Sequence, residues 1–370
     1  MRLSTGCAAV MLGMLAPAAS GAELVLGQSL GLTGGGAEVA KQYLSGAKCH
    51  FDIVNKGGGV RGNTLRLVSL DDGGNRDKTV ENTRKLIDGE KAFVLFGYTA
   101  AAGAQAVFPL IEERGIPLLG IASGGLGVHD KHRRYVYHVR ASYTAELDGI
   151  VKVLGSSGLS GSVPQYGFIY NQDAKANLGA FEEVAKKNGI RMVSSAGIDR
   201  NSTDMQAPIK TILDGKPSVI VAITTAKAMA AVIKEARKQG YNGTIVSSSF
   251  AGDPLVKEAG PAGAGTIVAQ VVPDPYTKVT PVTREYHSAL AKCGDQTPPS
   301  ASGLEGYISA RVLVEGLQRA GARPTRESLM TGLDSLAKLD LGGGEEEGQR
   351  LHGGAPSCGG PTSSACRSWK

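Results

Sequence analysis

Aromatic residues make up only 5% of this 370-residue chain, and Trp369 is its one tryptophan. So few rings leave no stacking platform for single-stranded nucleic acid. The densest basic cluster, Lys131, His132, Arg133 and Arg134, has only Tyr135 beside it, so the net charge of +6 is scattered and nucleic acid is not an expected partner. Beyond the N-terminal segment no apolar run approaches the ~18 residues that a membrane-spanning helix needs. The five cysteines are Cys7, Cys49, Cys293, Cys358 and Cys366, and none has the close partner of a zinc site. An oxidising compartment would permit disulfides, but spacing does not fix their pairing. There is no P-loop and no H-E-x-x-H, so neither a cofactor nor a metal is expected.

What is present is an apolar fraction of 42% with 52 glycines, the composition of an α/β protein with many short turns. The length predicts two domains. At the N-terminus Arg2 precedes an apolar run over residues 7–15, and small residues end in Ser20-Gly21-Ala22. This order predicts a secretory signal peptide over residues 1–22 and a soluble, exported mature chain. Cys7 lies too early in the apolar run to be a lipid-anchored residue following it.

From Glu23 onward short apolar runs alternate with helical periodicity. Strands are expected at 24–26, 65–70, 93–96 and 116–121, with helices at 39–54, 79–87 and 101–113 between them. Such alternation implies a parallel sheet covered on both faces. After residues 135–140 a second series repeats the pattern, with strands at 166–170, 191–194, 219–223, 244–247 and 266–271. Helices at 283–292, 304–319 and 326–336 then have too few strands for a third domain and are expected to complete the first lobe. The expected fold is two doubly wound parallel-sheet lobes joined by hinge crossings, with residues 23–139 and 273–336 in one and 140–272 in the other. From Gly342 a Gly/Ser/Pro/Cys mixture with Glu345, Glu346 and Glu347 cannot offset its ordering entropy, so residues 342–370 are expected to be disordered or aberrant.

Gly57, Gly59 and Gly62 form a literal G-x-G-x-x-G. A dinucleotide fingerprint must follow a strand and open a helix, whereas these glycines close one helix and lead into a strand. They are expected to form a helix stop and turn. Asp71 and Asp72 lack a ligand set for a metal and are expected to serve as solvated or capping residues. Ser123 sits in a strand-to-turn segment without G-x-S-x-G, and His129, His132 and His138 have no carboxylate evidently placed to orient a base. No enzyme chemistry is expected. What remains are small-residue loops at 31–36, 97–102 and 121–125, each following a strand. In open α/β sheets this is the ligand crevice, and Thr33, Thr99 and Ser123 add hydroxyl donors for a small anionic group.

Together these segments resemble the type I periplasmic substrate-binding proteins, of the branched-chain amino acid class that serves ABC importers. The resemblance runs from about Glu23 to Gly343. Its motifs are Leu30-Gly31-Leu32-Thr33-Gly34, Ile53-Val54-Asn55-Lys56-Gly57-Gly58-Gly59-Val60-Arg61-Gly62 and Leu70-Asp71-Asp72. Val136-Tyr137-His138-Val139-Arg140-Ala141-Ser142 marks the first crossing and Gln270-Val271-Val272-Pro273 the second, followed by the segment from Leu304 to Leu313. The resemblance implies hinge closure around a ligand, docking on membrane permease subunits, a periplasmic location and a monomer. It places the ligand carboxylate on Tyr98, Thr99, Ala100, Ala122, Ser123 and Gly124, with Tyr98 as an apolar wall. From the second lobe it brings Asn171, Asp173, Thr225, Ser249 and Phe250.

The chain departs from this family twice. Amino-acid binders of the class have an acidic residue near Ser249 to pair with the ligand ammonium, and here Ser247, Ser248 and Ser249 stand instead; Asp173, Asp253 or Glu305 are the candidate substitutes. Relatives also follow a segment like Asp340-Leu341-Gly342-Gly343 with strand-forming residues, whereas this chain continues Gly344-Glu345-Glu346-Glu347, as if read in a shifted frame, which would leave an open sheet edge. The expected function is ligand capture for an importer, of a branched-chain amino acid or similar small carboxylate. A ligand-sensing partner of a receptor, or a binder of aromatic acids or amides, is the alternative.

Overall fold

A computed structural model describes residues 21–156, 163–294, 296–336 and 366–368. Most of the expected signal peptide and tail therefore lies outside the described residues.

The first series runs β1 (Glu23–Leu30), α1 (Ala37–Lys56), β2 (Thr64–Asp71), α2 (Arg76–Arg84), β3 (Val94–Phe96), α3 (Ala101–Ala106), α4 (Phe108–Arg114), β4 (Leu118–Leu119), α5 (Leu126–His129) and β5 (Val136–Tyr137). Its strands form one parallel sheet in the order β2-β1-β3-β4-β5. The second series runs α6 (Tyr143–Ser156), β6 (Gln165–Asn171), α7 (Ala176–Asn188), β7 (Arg191–Ile198), α8 (Gln206–Asp214), β8 (Val219–Ile223), α9 (Ala226–Lys238), β9 (Thr244–Ser247), α10 (Pro254–Ala259) and β10 (Ile267–Ala269). Its strands are parallel in the order β10-β9-β8-β6-β7. Outside β10 lies β11 (Cys366–Ser368), antiparallel to it, so this part of the tail occupies the sheet edge expected to be open.

The chain then adds α11 (Pro281–Cys293), α12 (Ala301–Ala320) and α13 (Arg326–Asp334). These helices return to the first sheet, where Leu304, Ile308, Leu313 and Leu333 share a core with Leu26, Val94, Phe96 and Leu119. Glycines make the closest approach possible: a Cβ at Gly46 of α1 would lie 1.8 Å from the Gly303 carbonyl oxygen, and one at Gly306 of α12 would lie 2.0 Å from that of Tyr43. A disulfide between Cys49 and Cys293 joins α1 to α11, a pairing that spacing alone left open.

Local chemistry explains where the elements depart from expectation. The helix expected over 101–113 divides at Val107, because Pro109 has no N–H to continue the ladder and sits in the first turn of α4. Strand β1 runs on to Leu30 through Gln28 and Ser29, which are polar yet fully buried. Gln28 donates to the Gly97 carbonyl and accepts from Ser69, and Ser29 donates to Asp72, so each polar group is satisfied inside. The glycine run after Lys56 is a turn: Gly58, Gly59 and Gly62 have φ of 95°, 75° and 86°, and Val60 pairs with Asn63 before β2 begins.

Candidate functional site

In each sheet the strand order reverses direction once, between β1 and β3 in the first and between β6 and β8 in the second. Loops leaving adjacent strands at such a point diverge to opposite faces and open a crevice at the carboxyl ends. The loops after β1 and β3 supply residues 31–36 and 97–100; those after β6 and β8 supply Asn171, Asp173 and Thr225. The aspartates expected to cap do hold these loops. Asp71 accepts from the Leu32 N–H and the Thr33 hydroxyl at 2.9 and 2.8 Å. Asp72 accepts from Ser29, Thr79 and the Gly74 N–H at 2.8, 2.9 and 2.8 Å.

Within the first lobe, the Thr99 hydroxyl accepts from the Gly31 N–H at 3.2 Å, tying two crevice loops together. Ala100 immediately precedes α3 with no side-chain cap. The Ala122 N–H donates to the Tyr98 carbonyl at 2.8 Å. The Tyr98 ring is fully buried in a first-lobe core, with its hydroxyl 2.8 Å from that of Thr83, the partner that a buried phenol needs. Ser123 is buried, and its hydroxyl accepts from the Gly125 N–H at 3.3 Å. Gly124 abuts the first crossing so closely that a Cβ there would lie 2.7 Å from the Tyr143 ring and 3.0 Å from the Ala141 carbonyl oxygen.

Within the second lobe, buried Asn171 accepts from the Thr224 hydroxyl at 2.7 Å. Asp173 is engaged by Arg200 at 2.6 Å, and Thr225 donates to the Arg200 carbonyl at 2.9 Å. Phe250 meets the Tyr143 ring edge to face, with centroids 6.3 Å apart. Ser249 is committed on every polar atom: its N–H and its hydroxyl each donate to the Glu146 carboxylate at 2.6 Å, and its hydroxyl accepts from Arg140.

That last contact belongs to a buried charged junction between the lobes. Arg140 leaves the first crossing and pairs with Glu305 of α12 at 2.6 Å, while Glu146 reaches Ser249 from α6. Arg140, Glu146, Ser249 and Glu305 are all at most 9% exposed. Burial lifts the Glu305 carboxyl above its ordinary range; Arg140 opposes this and Glu146 adds to it. Burial likewise pushes the Tyr143 hydroxyl up to about 12. Behind the Ser123 loop His129 and His138 stack at 3.9 Å, and His129 touches the Ser123 carbonyl at 3.1 Å. Burial holds these rings down to about 4 and about 3, so both are neutral at ordinary pH.

Of the junction, sequence reasoning named Ser249 and Glu305 but gave no role to Arg140, Tyr143 or Glu146. A signal for Glu146 existed. On α6 the buried positions include Tyr143, Leu147, Ile150 and Leu154, and Glu146 sits on that stripe where a charge needs a partner. Among the described residues no group of three or more His, Cys, Asp or Glu side chains is arranged to hold a metal.

A family model described as periplasmic binding protein matches residues 23–357. The Leu/Ile/Val-binding protein homolog 7 of Brucella suis is 23% identical over 323 residues, covering 84% of this chain and 80% of its own. Among solved structures, a possible leucine/isoleucine/valine-binding protein from Rhodopirellula baltica superposes with a TM-score of 0.82 at 24% identity, covering 96% of this chain and 98% of that one. A substrate-binding periplasmic protein from Ralstonia solanacearum gives 0.81 at 28% identity, covering 91% and 95%. With two doubly wound lobes, each with its own switch point, the chain belongs to the periplasmic binding protein family, in its type I, branched-chain amino acid class.

Proposed function

We propose that this chain is the extracytoplasmic substrate-binding component of an ABC importer, working in the periplasm and presenting its closed form to permease subunits. It captures a branched-chain amino acid or similar small carboxylate by hinge closure and does no chemistry on it. The observation that carries this reading is a switch-point crevice in each sheet together with the buried polar junction of Arg140, Glu146, Ser249 and Glu305 that ties the lobes. The Thr99 and Ser123 loops would receive the carboxylate.

The junction also bears on the ligand's other end. Two buried carboxylates, Glu146 and Glu305, face a single guanidinium, Arg140. An excess of buried negative charge favours a ligand with its own cation, since an unpaired buried charge is costly. Glu146, reaching the Ser249 position from α6, and Glu305 would stand in for the acidic residue missing at position 249. This favours an amino acid over a bare aromatic or oxo acid. A thermal-shift screen of the purified mature chain against amino acids, amides and aromatic acids tests it, because a ligand that binds only the folded state raises Tm. Leucine should shift Tm and its 2-oxo analogue should not; a shift with the 2-oxo acid alone would overturn the assignment.

A further inference from the structure

The loop that follows β9 does more than carry Ser249 and Phe250. At its end Asp253 sends both carboxylate oxygens toward the first lobe's side of the molecule. Oδ2 accepts from the Ala301 backbone N–H at 2.7 Å, and Oδ1 accepts from the Tyr276 hydroxyl at 2.6 Å. Ala301 opens α12, a helix of 20 residues whose body lies in the first-lobe core. The first amides of a helix have no partner within it, and a carboxylate placed there also meets the positive end of the helix dipole.

This helix already has a cap from its own lobe, since the Ser300 hydroxyl accepts from the Gly303 N–H at 3.0 Å. Asp253 is a second acceptor, and it arrives from the other lobe. It is held firmly there: α10 starts at the next residue, and Leu255 is fully buried in the second-lobe core. Gly252 lets the loop come close. Its φ is +61°, and a Cβ at this position would lie 3.2 Å from Val39 of α1 and 3.7 Å from the Ser302 hydroxyl of α12. Elsewhere along the crevice a Cβ at Gly35 would lie 3.6 Å from the Asn201 side chain of the second lobe, so the lobes are in contact there too.

We propose that Asp253 is a closure latch, a second-lobe carboxylate that caps first-lobe helix α12 only while the lobes meet. It holds the closed arrangement without ligand and seats Ser249 and Phe250 at the junction. The inference rests on the hinge-closing reading but not on which ligand is bound. Opening the lobes breaks both bonds to Asp253 and returns the Ala301 amide to water. A ligand that binds only the closed form has an apparent affinity scaled by the fraction already closed, so the latch would tighten binding of every ligand alike and leave selectivity unchanged.

Solution X-ray scattering on the ligand-free mature chain tests the latch. The wild type should be compact, Asp253→Ala expanded, and Tyr276→Phe, which removes one of the two bonds, between them. The Ala301 amide should exchange with solvent tenfold faster or more in Asp253→Ala. Ser300→Ala removes the cap from within the lobe and serves as the control: it should lower Tm without changing the scattering. An expanded wild type, or an Asp253→Ala chain as compact as the wild type, would overturn the proposal. If Asp253→Ala does not fold, a Tyr276→Phe chain with unchanged scattering does the same. The ligand assignment fails separately, when leucine and the other probes give no thermal shift while the scattering still responds to Asp253.

Discussion

The two lobes share one architecture but are assembled differently. The second is contiguous apart from its edge strand β11: its other strands and helices follow one another from Tyr143 to Ala269. Its side-chain ties are correspondingly local, as where the Ser218 hydroxyl joins Gln165 across 53 residues and Asn188 joins Asp148 across 40. The first is stitched from distant pieces. Arg326 of α13 donates to the carbonyls of Ala92 and Phe93 across 234 and 233 residues, Asn63 donates to that of Ala322 across 259, and the disulfide spans 244. The contrast teaches that stability in the first lobe rests on a few long-range fits, while the second rests on repeated local units. Local contacts form faster than those that must close long loops, so the second lobe is expected to fold before the first is complete.

Arg140 is where the comparison should break down, because both lobes depend on it. Arg140→Ala leaves Glu146 and Glu305 buried without a counter-charge and should cost ~3–5 kcal/mol in chemical denaturation, lowering any transition that involves either lobe. Gly46→Ala should cost ~3 kcal/mol in the first lobe alone, since the new methyl collides with backbone rather than with a movable side chain. Replacing Cys49 and Cys293 by alanine should cost ~2–4 kcal/mol, again confined to the first lobe.

Acid should separate the lobes further. His129 and His138 are held neutral below the ordinary histidine range, so the unfolded chain binds more protons than the folded one as pH falls from ~6.5 toward about 4 and about 3. Their contribution is fully present above ~6.5 and is lost on acidification, at up to ~1.4 kcal/mol per pH unit for each ring. Converting both to glutamine should flatten that slope in a pH series of melts. The smallest effect has the opposite sign. Gly179 lies inside α7 with open space around it, so Gly179→Ala should stabilise the second lobe by ~0.5–1 kcal/mol.

The alternation of apolar runs and helical periodicity made the two parallel sheets legible, because that pattern is what a buried strand under a helix requires. It gave no warning of the interruption at Val107, where a single missing N–H outweighs periodicity. It also cut β1 short at Gln28 and Ser29, whose partners Gly97, Ser69 and Asp72 lie far away in sequence. The site was legible as loops and not as a junction. Thr99, Ser123 and Asn171 stand at strand ends that a motif can mark, whereas Arg140, Glu146 and Glu305 come from a crossing and two helices. Only the folded chain brings these three together. Tyr98 shows the converse: it stands in a crevice loop, yet the hydroxyl of its buried ring meets Thr83 of α2, a contact that no motif marks.

The bond between Cys49 and Cys293 has one further consequence. It turns the chain between them into a covalent ring, and strands β6 to β10 with helices α6 to α10 of the second lobe lie on that ring, whereas β11 lies outside it. A protease that nicks any surface loop between the two cysteines therefore opens the ring without releasing a piece. The cut halves should migrate as one species until a reductant is added, and the single cut becomes a severance only then.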